Sequence, residues 1–373
     1  MNMQAMVLER YSKGAKARES ELCCPVSYDP ELLKRLPQEI IDKDYGCGDP
    51  SPYVREGDVV LDLGSGSGKV CYIAAQFAGR EGRVIGVDMN EDMLTLARKY
   101  QAEMAAKLGG DRVRFVKARI QDLALDLEAV ERYLAHQPVQ TLTDLERFKE
   151  WQATQRREHP LIPAAAVDLV ISNCVLNLVD DEDRPQLIRE IHRVLRPGGR
   201  VAICDIVSDE SVPPHLKTDP ELWSGCIAGA FQEQELIARF VETGFLAVGL
   251  ERWSAAPWRI IEGIEFRSVT LTAIKGLGVP CSDEGHAVIY RGPFASVTDD
   301  EGHIFPRGER MAVCERTYRQ LLTSGPYRDA FIGITPSVPR APVPWCAPPG
   351  TRRTPAETKG AAYTSACSST GCC

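Results

Sequence analysis

The sequence predicts an α/β fold in which helices cover both faces of a doubly wound parallel sheet. Short apolar strand patterns alternate with longer segments of helical periodicity between residues 59 and 207, and strands that alternate with helices of this length form parallel sheets. A glycine-rich turn, LDLGSGSG, ends the first strand pattern. Because ligands of such sheets bind at the carboxyl ends of the strands, we expect the functional site at this edge.

The individual elements follow from the periodicity of the apolar residues. Five strand patterns occur in the order DVVLDL, GRVIGVD, DRVRFVKARI, VDLVISN and GRVAICDIV. Helical patterns follow the first, second and fourth of them, namely KVCYIAAQFAG, EDMLTLARKYQAEMAAKLG and DRPQLIREIHRVL. Two more helices, PELWSGCIAGAF and EQELIARFVETGF, and two more strands, LAVGLERW and FRSVTLTAIK, complete the predicted sheet.

The composition of the chain changes along its length and divides it into segments. A polar, helix-prone stretch interrupts the α/β pattern, and we expect one or two surface helices there. Beyond the sheet, short β segments surround a turn at TDDEGH and precede a helix, which predicts a small α+β extension. The last residues are rich in Pro, Ala, Ser and Thr, and we expect a disordered tail. The predicted segments are 1–50 (cysteine-bearing), 51–275 (cofactor-binding, with the insert 123–163), 276–335 (extension) and 336–373 (tail).

The composition also limits which classes of protein the chain can belong to. The net charge is −8 and the basic residues are scattered, so we expect no nucleic-acid surface. No apolar run reaches the roughly 18 residues of a membrane span, and the first residues lack the apolar core of a secretory signal, so we expect a cytoplasmic protein without membrane contact. The 13 cysteines indicate metal binding or redox chemistry in a reducing compartment.

The glycine turn and an acidic residue after the second strand predict a nucleoside-containing ligand. Gly64, Gly66 and Gly68 allow backbone amides to approach a ligand at a helix N-terminus. Asp88 follows about 20 residues later, where a carboxylate can accept hydrogen bonds from ribose hydroxyls. The spacing is G-x-G-x-G rather than G-x-G-x-x-G, which disfavours NAD.

The motifs VLDLGSGSG, GVDMN and RPGG resemble those of the Rossmann-like class I methyltransferases that use S-adenosylmethionine. The resemblance implies that the methionine part of this cofactor lies against the glycine loop and the ribose on Asp88. Met89 and Ile120 would then flank the adenine, and Asn173 would lie beside the reacting methyl group. The cofactor-binding residues implied are Asp62, Gly64, Gly66, Gly68, Asp88, Met89, Ile120 and Asn173.

Three cysteines from distant segments are candidates for a soft-ligand site. Cys174 follows the fourth strand, Cys226 follows the fifth, and Cys47 lies between two glycines in DYGCGDPS, in what we expect to be an exposed turn. The predicted elements allow all three thiols to converge at one edge of the sheet. Three thiolates suit a thiophilic centre such as As(III) and do not suit magnesium or calcium. Cys204, inside an apolar strand, is expected in the core.

The fragments DYGCG, LDLGSGSGKVCY, GVDMN, SNCVLNL and LWSGC resemble the arsenite S-adenosylmethionine methyltransferases, over about 23–275. This resemblance implies that Cys47, Cys174 and Cys226 bind As(III) as substrate. It also implies that Cys23 or Cys24 forms a disulfide during turnover, with the choice between them open. The family usually has Tyr where this chain has Asp44.

The resemblance implies an enzyme that transfers methyl groups from S-adenosylmethionine to thiolate-bound As(III) in arsenic detoxification. A thiol reductant such as glutathione or thioredoxin would return the arsenic to the trivalent state. Two alternatives stay open. One is a class I methyltransferase that acts on another small thiol or selenium nucleophile, and the other is a metalloid-binding protein without catalysis. The terminal cysteines Cys367, Cys372 and Cys373 could form a capture arm or a reactive tail.

Overall fold

The computed structural model describes residues 3–19, 26–322, 327, 329–345, 347, 348 and 350–359. Cys23 and Cys24, the two candidates for the redox partner of Cys47, lie outside the described residues, as do the three terminal cysteines. The chain divides into two compact units, Met1–Ala273 and Ile274–Cys373. No helix in the described part of the chain is both long and apolar enough to cross a membrane.

The first unit is built on the α/β sheet that the sequence predicts. Its strands are β1 (Val59–Leu63), β2 (Arg83–Asp88), β3 (Val113–Lys117), β4 (Val167–Asn173), β5 (Leu195–Ser208), β6 (Phe231–Gln232), β7 (Phe245–Trp253), β8 (Arg259–Ile261) and β9 (Ile264–Lys275). The order across the sheet is β3-β2-β1-β4-β5-β9-β7, with β6 beside β5 and β8 beside β9. The first five strands are parallel. The strand order reverses between β1 and β4, so the residues that follow these two strands meet at the switch point where such sheets bind ligands.

Helices lie on both faces of this sheet. They are α1 (Met3–Lys16), α2 (Pro30–Leu33), α3 (Gln38–Asp42), α4 (Lys69–Ala78), α5 (Glu91–Lys99), α6 (Gln101–Leu108), α7 (Leu127–His136), α8 (Leu142–Glu158), α9 (Arg184–Val194), α10 (Pro214–Lys217), α11 (Pro220–Ser224) and α12 (Glu233–Glu242). Short 3₁₀ turns occur at Ser51–Tyr53 and Leu176–Leu178. Successive residues of β1 belong to different apolar cores, Val60 to one and Leu61 to the other, because side chains alternate along a strand. The doubly wound prediction is therefore confirmed.

The polar insert forms the two helices α7 and α8, as its periodicity predicts. Neither helix has a buried residue. Tyr133, Phe148 and Trp151 stack between them, with the Tyr133 and Trp151 ring centroids 4.5 Å apart. A capping box between Thr141 and Asp144 begins α8. The insert is thus a helical hairpin stabilised by its own aromatic contacts.

The second unit has a small α+β core of its own, as predicted for the extension. Its elements are β10 (Ser282–Asp283), β11 (Ala287–Tyr290), β12 (Ser296–Thr298), β13 (Ile304–Pro306), β14 (Arg310–Ala312), α13 (Glu315–Leu322), β15 (Phe331–Ile334), β16 (Val343–Pro344) and α14 (Pro355–Lys359). Strand β11 lies between β14 and β15, and β12 pairs with β13. Val288, Phe305, Leu321 and Phe331 form part of the core.

The sequence predicts a disordered tail from residue 336, but the described residues between 336 and 359 form a strand and specific polar contacts. Strand β16 pairs with β10, and Arg353 is buried with its guanidinium 2.9 Å from the Asp283 carboxylate. Ser337 donates from its backbone to the carbonyl of Thr358. Polar contacts rather than apolar residues order this stretch, so its composition gives no sign of structure. Residues 360–373 of the predicted tail lie outside the described residues.

Candidate cofactor and thiol site

The glycine turn after β1 has the backbone conformation that only glycine adopts readily. Gly64 and Gly66 have φ of 68° and 51°. A Cβ on Gly64 would lie 2.5 Å from Val175, whereas one on Gly66 would meet nothing within 4 Å. Gly68, also at positive φ, immediately precedes α4, and a Cβ there would lie 2.7 Å from the Phe115 ring. Gly66 therefore leaves open space for a ligand, while the missing side chains of Gly64 and Gly68 permit close packing against Val175 and Phe115.

A cavity that is open to solvent lies above this turn, at the switch point of the sheet. The predicted cofactor residues that line it are Asp62, Gly64, Gly66, Asp88, Met89, Ile120 and Asn173. Gly68 is not among the residues that line it, so its role as a cofactor contact stays a prediction. The lining of the cavity combines the Asp62 and Asp88 carboxylates with apolar side chains such as Met89 and Ile120, which suits a ligand with a nucleoside and an amino-acid portion.

Asp88 is placed to present its carboxylate to this cavity. One oxygen accepts from the backbone amide of Gly66 at 2.9 Å and the other from that of Asn90 at 2.8 Å. Burial raises the pKa of Asp88 above its usual range. Each carboxylate oxygen can accept a second hydrogen bond, so ribose hydroxyls fit this position.

Asp62 is the most deeply buried acid of the cavity wall. Burial raises its pKa to about 7, while a hydrogen bond from the Cys71 thiol at 3.1 Å acts in the opposite direction. Burial also raises the pKa of Cys71. Cys71 is therefore a packed partner of Asp62 rather than an exposed reactive thiol.

Helix α1 forms a wall of the cavity that the sequence did not indicate. Its residues Gln4, Val7, Leu8 and Tyr11 line the space above the sheet edge. Asn90 donates to the carbonyl of Leu8 at 3.0 Å, which ties the helix to the end of β2. The phenol of Tyr11 faces the Cys226 and Cys174 side chains, and burial raises its pKa well above the ordinary value. Helix α1 thus covers both the cavity and the thiols.

The thiols of Cys47 and Cys174 meet at the edge of the cavity. Their sulfur atoms and a carboxylate oxygen of Asp205 all lie within 4.8 Å of one another. Cys174 also lines the cavity and has a φ of 63°, an uncommon conformation for a side-chain-bearing residue that often marks a functional site. Two soft ligands therefore lie directly beside the predicted cofactor.

Cys226 belongs to the same apolar cluster as Cys47 and Cys174. Its thiol donates to the carbonyl oxygen of Cys174 at 3.2 Å, and its φ is 61°. Among the described residues, the group of possible metal-ligating atoms within 4.8 Å of one another comprises the Cys47 sulfur, the Cys174 sulfur and an Asp205 oxygen. It does not include the Cys226 sulfur. Burial raises the pKa of Asp205 to about 6, although the amides of Leu176 and Ile206 donate to it.

Cys47 is buried, which corrects the expectation of an exposed turn. Only 4% of the surface of Cys47 is exposed. A Cβ on Gly46 would lie 2.0 Å from the Asn173 amide nitrogen, and one on Gly48 would lie 2.6 Å from Cys204 Cβ. The two glycines therefore permit the loop to pack against the ends of β4 and β5. Cys204 itself is fully buried, as predicted for a core residue.

Two asparagines of the segment SNCVLNLV fix the loops that carry the other cysteines. The Asn173 side chain accepts from the amides of Cys47 and Gly48 at 2.9 and 3.0 Å and donates to the Gly48 carbonyl at 2.8 Å. The Asn177 side chain donates to the carbonyls of Ile206 and Cys226 at 2.7 and 3.2 Å. One segment therefore supplies Cys174 and positions the loops of the two other thiols.

Asp44, where the resemblance leads one to expect Tyr, forms an ion pair. Lys69 lies 2.6 Å from its carboxylate, and both side chains are largely buried. The Lys69 ammonium also lies 3.9 Å from the centre of the Tyr28 ring, whose hydroxyl donates to the Gly48 carbonyl at 3.0 Å. Charge pairing therefore links the glycine-loop helix to the Cys47 loop.

Comparison with known proteins places the chain in a family. A family model described as a methyltransferase domain matches residues 55–244, just over half of the chain. An arsenite methyltransferase of Aquipseudomonas alcaligenes is 31% identical over 321 residues, 81% of this chain and 82% of that protein. The chain belongs to the arsenite methyltransferase family.

Further matches support the same family assignment. The mouse arsenite methyltransferase is 30% identical over 80% of this chain and 73% of its own length. The crystal structure of an arsenic(III) S-adenosylmethionine methyltransferase from Chlamydomonas reinhardtii is 27% identical, with a TM-score of 0.53, and covers 84% of this chain and 99% of its own. A separate model, a domain of unknown function (DUF8838), matches residues 278–363 in the second unit.

The family assignment puts the predicted site residues in context. The fold confirms an S-adenosylmethionine-dependent class I methyltransferase. Sequence reasoning missed the contributions of Tyr11, Tyr28 and Asn177. The side-chain partners of Asn177, Ile206 and Cys226, are 29 and 49 residues away, so no local signal in the sequence indicates these contacts.

Proposed function

We propose that this protein transfers a methyl group from S-adenosylmethionine to As(III) held by Cys47, Cys174 and Cys226. The observation that carries the proposal is the position of Cys174, whose residue lines the cofactor cavity while its sulfur lies within 4.8 Å of the Cys47 sulfur and Asp205. Membership of the arsenite methyltransferase family supports the same substrate.

The thiols bind the substrate by exchange. Each cysteine thiol replaces one hydroxide of arsenite, so that three As–S bonds form and three water molecules leave. The Cys226 thiol, which now donates to the Cys174 carbonyl, would give up that hydrogen bond to become the third ligand. Asn173 and Asn177 hold the backbones of the flanking loops, so the sulfurs are organised before arsenic arrives.

Trivalent arsenic bound to three thiolates keeps a lone pair for the reaction. Bound S-adenosylmethionine supplies a sulfonium methyl group, which the lone pair takes, leaving S-adenosylhomocysteine. The arsenic carries no proton, so this chain needs no general base for the transfer. The residues of the site instead position and shield the arsenic: Tyr11 lines the cavity and Cys47 is buried, so both would limit the access of water to it.

Methyl transfer formally oxidises the arsenic by two electrons, and a thiol pair can return them. Oxidation of Cys47 together with Cys23 or Cys24 to a disulfide would supply both electrons. Thioredoxin or glutathione would then reduce that disulfide and restore the thiols. This cycle requires a reducing compartment such as the cytoplasm, because thiols persist there.

A comparison of substrates tests the proposed function against the alternative that the chain is a methyltransferase for another small nucleophile. The purified chain is incubated with S-adenosylmethionine and a dithiol reductant, and with arsenite, selenite or a small aliphatic thiol in separate reactions. We expect S-adenosylhomocysteine to form at least ~100-fold faster with arsenite, because three soft ligands select a trivalent thiophilic centre. Chromatography with elemental mass detection should find methylated arsenic. Faster methylation of the selenium compound or the thiol would contradict the proposal.

A further inference from the structure

A group of metal-ligating side chains occurs in the second unit, in a domain without an assigned function. Nitrogen or oxygen atoms of Glu284, His286 and Glu315 all lie within 4.8 Å of one another. The family model that matches this part of the chain carries no function. From this group we propose that the second unit binds a divalent transition metal, with Zn²⁺ as the best match.

The fold brings these three residues together from two places in the chain. Glu284 and His286 immediately precede β11, and Glu315 is the first residue of α13. Strand β14 pairs antiparallel with β11, so that Ala312 lies opposite Ala287. The backbone amide of Val313 donates to the carbonyl of His286, and α13 therefore begins beside the histidine.

The distances within the group suit a small cation. His286 Nε2 lies 2.7 Å from Glu315 Oε2 and 4.0 Å from Glu284 Oε2. Around tetrahedral zinc, with bonds of about 2.0–2.1 Å, neighbouring ligand atoms are ~3.3 Å apart, a value between these two separations. Small side-chain movements would therefore bring all three atoms to bonding distance and leave a fourth position for water.

Each side chain is already oriented toward the common point. The other oxygen of Glu284 accepts from the Ser282 hydroxyl at 3.2 Å, and the other oxygen of Glu315 accepts from Arg319. The imidazole of His286 stacks on Tyr318, with centroids 4.3 Å apart. Such outer contacts orient the ligands of metal sites.

The hydrogen bonding of the group is incomplete among the described residues. Glu315 Oε2 lies 2.7 Å from His286 Nε2 but lacks a well-formed hydrogen bond there, and His286 Nδ1 is buried without a partner. A buried carboxylate oxygen without a hydrogen bond is costly. A cation bound by Glu315 Oε2 and His286 Nε2 would satisfy the carboxylate oxygen and place the single imidazole proton on Nδ1. The nitrogen donor favours zinc over calcium or magnesium, which prefer oxygen ligands.

The test uses the full-length chain in which Cys47 and Cys174 are both replaced by serine, so that the thiol site does not bind the probe. Zn²⁺ binding is measured by equilibrium dialysis with elemental detection. We expect His286→Gln to remove about one equivalent of Zn²⁺ per chain, as loss of a ligand from a three-residue site requires. His303→Gln is the matched control, because His303 also pairs with a carboxylate, that of Asp299, at 2.9 Å.

Two further measurements keep the outcome decisive. Glu284→Gln replaces a more exposed ligand, 29% exposed, and serves if His286→Gln does not fold. Co²⁺ in place of Zn²⁺ should show no thiolate-to-cobalt charge-transfer band for the equivalent that the variants lose. The proposal is overturned if both ligand variants bind as much Zn²⁺ as His303→Gln, or if the equivalent they lose carries the charge-transfer band.

Discussion

Replacement of Cys174 by serine is expected to abolish arsenic methylation while S-adenosylmethionine still binds. Cys174 lines the cofactor cavity, and its sulfur lies near the sulfur of Cys47 and the carboxylate of Asp205. A serine hydroxyl is a hard ligand with little affinity for As(III). We expect the rate of methylated-arsenic formation to fall by roughly 1000-fold or more, since correct placement of reacting atoms is worth many orders of magnitude.

Cys204→Ser is the matched control for this substitution. Cys204 is fully buried in β5, and its sulfur lies 3.3 Å from the Thr270 hydroxyl, a contact that serine can keep. We expect this variant to retain methylation within about threefold, with its cost confined to stability. If Cys174→Ser still methylates arsenite at a rate near that of Cys204→Ser, the thiol site assigned here is wrong.

Replacement of Asn173 by alanine is expected to lower the methylation rate by about 100-fold. Four hydrogen bonds would be lost, three to the Cys47–Gly48 loop and one to the Tyr28 hydroxyl. Each is worth about 1 kcal/mol, and the buried amides would be left without an acceptor. The Cys47 sulfur would then no longer be held beside Cys174. Arsenite binding should therefore weaken more than S-adenosylmethionine binding, which isothermal titration of each ligand can measure.

A substitution in the Cys47 loop should disturb the same contact between that loop and Asn173. Gly46→Ala places a Cβ about where the Asn173 amide now lies, 2.0 Å from its nitrogen, and should reproduce the loss. Gly249→Ala is the control, because a Cβ there would meet nothing within 4 Å. Wild-type arsenite affinity in Asn173→Ala and Gly46→Ala would show that these residues do not position Cys47.

The sheet and the cofactor side of the site could be predicted because their signals are local. Alternation of strands and helices specifies a parallel sheet, and a sheet order that reverses between β1 and β4 brings the Gly64 turn and Asn173 to one edge. Asp88 was predictable for the same reason, since it ends the strand next to the glycine turn. Local spacing did not indicate the packing role of Gly68, whose lack of a side chain permits the contact with Phe115.

The thiol side depends on contacts between residues far apart in sequence, and the prediction was correspondingly weaker. Cys47 has no apolar neighbours in the chain, yet it is buried because Asn173, 126 residues away, binds its loop. Asp205 comes within reach of the sulfurs because β5 lies beside β4. The position of Cys226 depends on a loop held by Asn177. None of these contacts leaves a periodic signal in the sequence.

The most direct measurement of the central claim is a single turnover on arsenic already bound to the protein. The reduced chain is loaded with one equivalent of arsenite, freed of small thiols and unbound arsenic, and mixed with deuteromethyl S-adenosylmethionine. We expect about one S-adenosylhomocysteine and one deuteromethylated arsenic per loaded site, because the three cysteines replace any small-thiol ligand. Formation of methylated arsenic only after glutathione is added back would contradict methylation of a protein-bound arsenic.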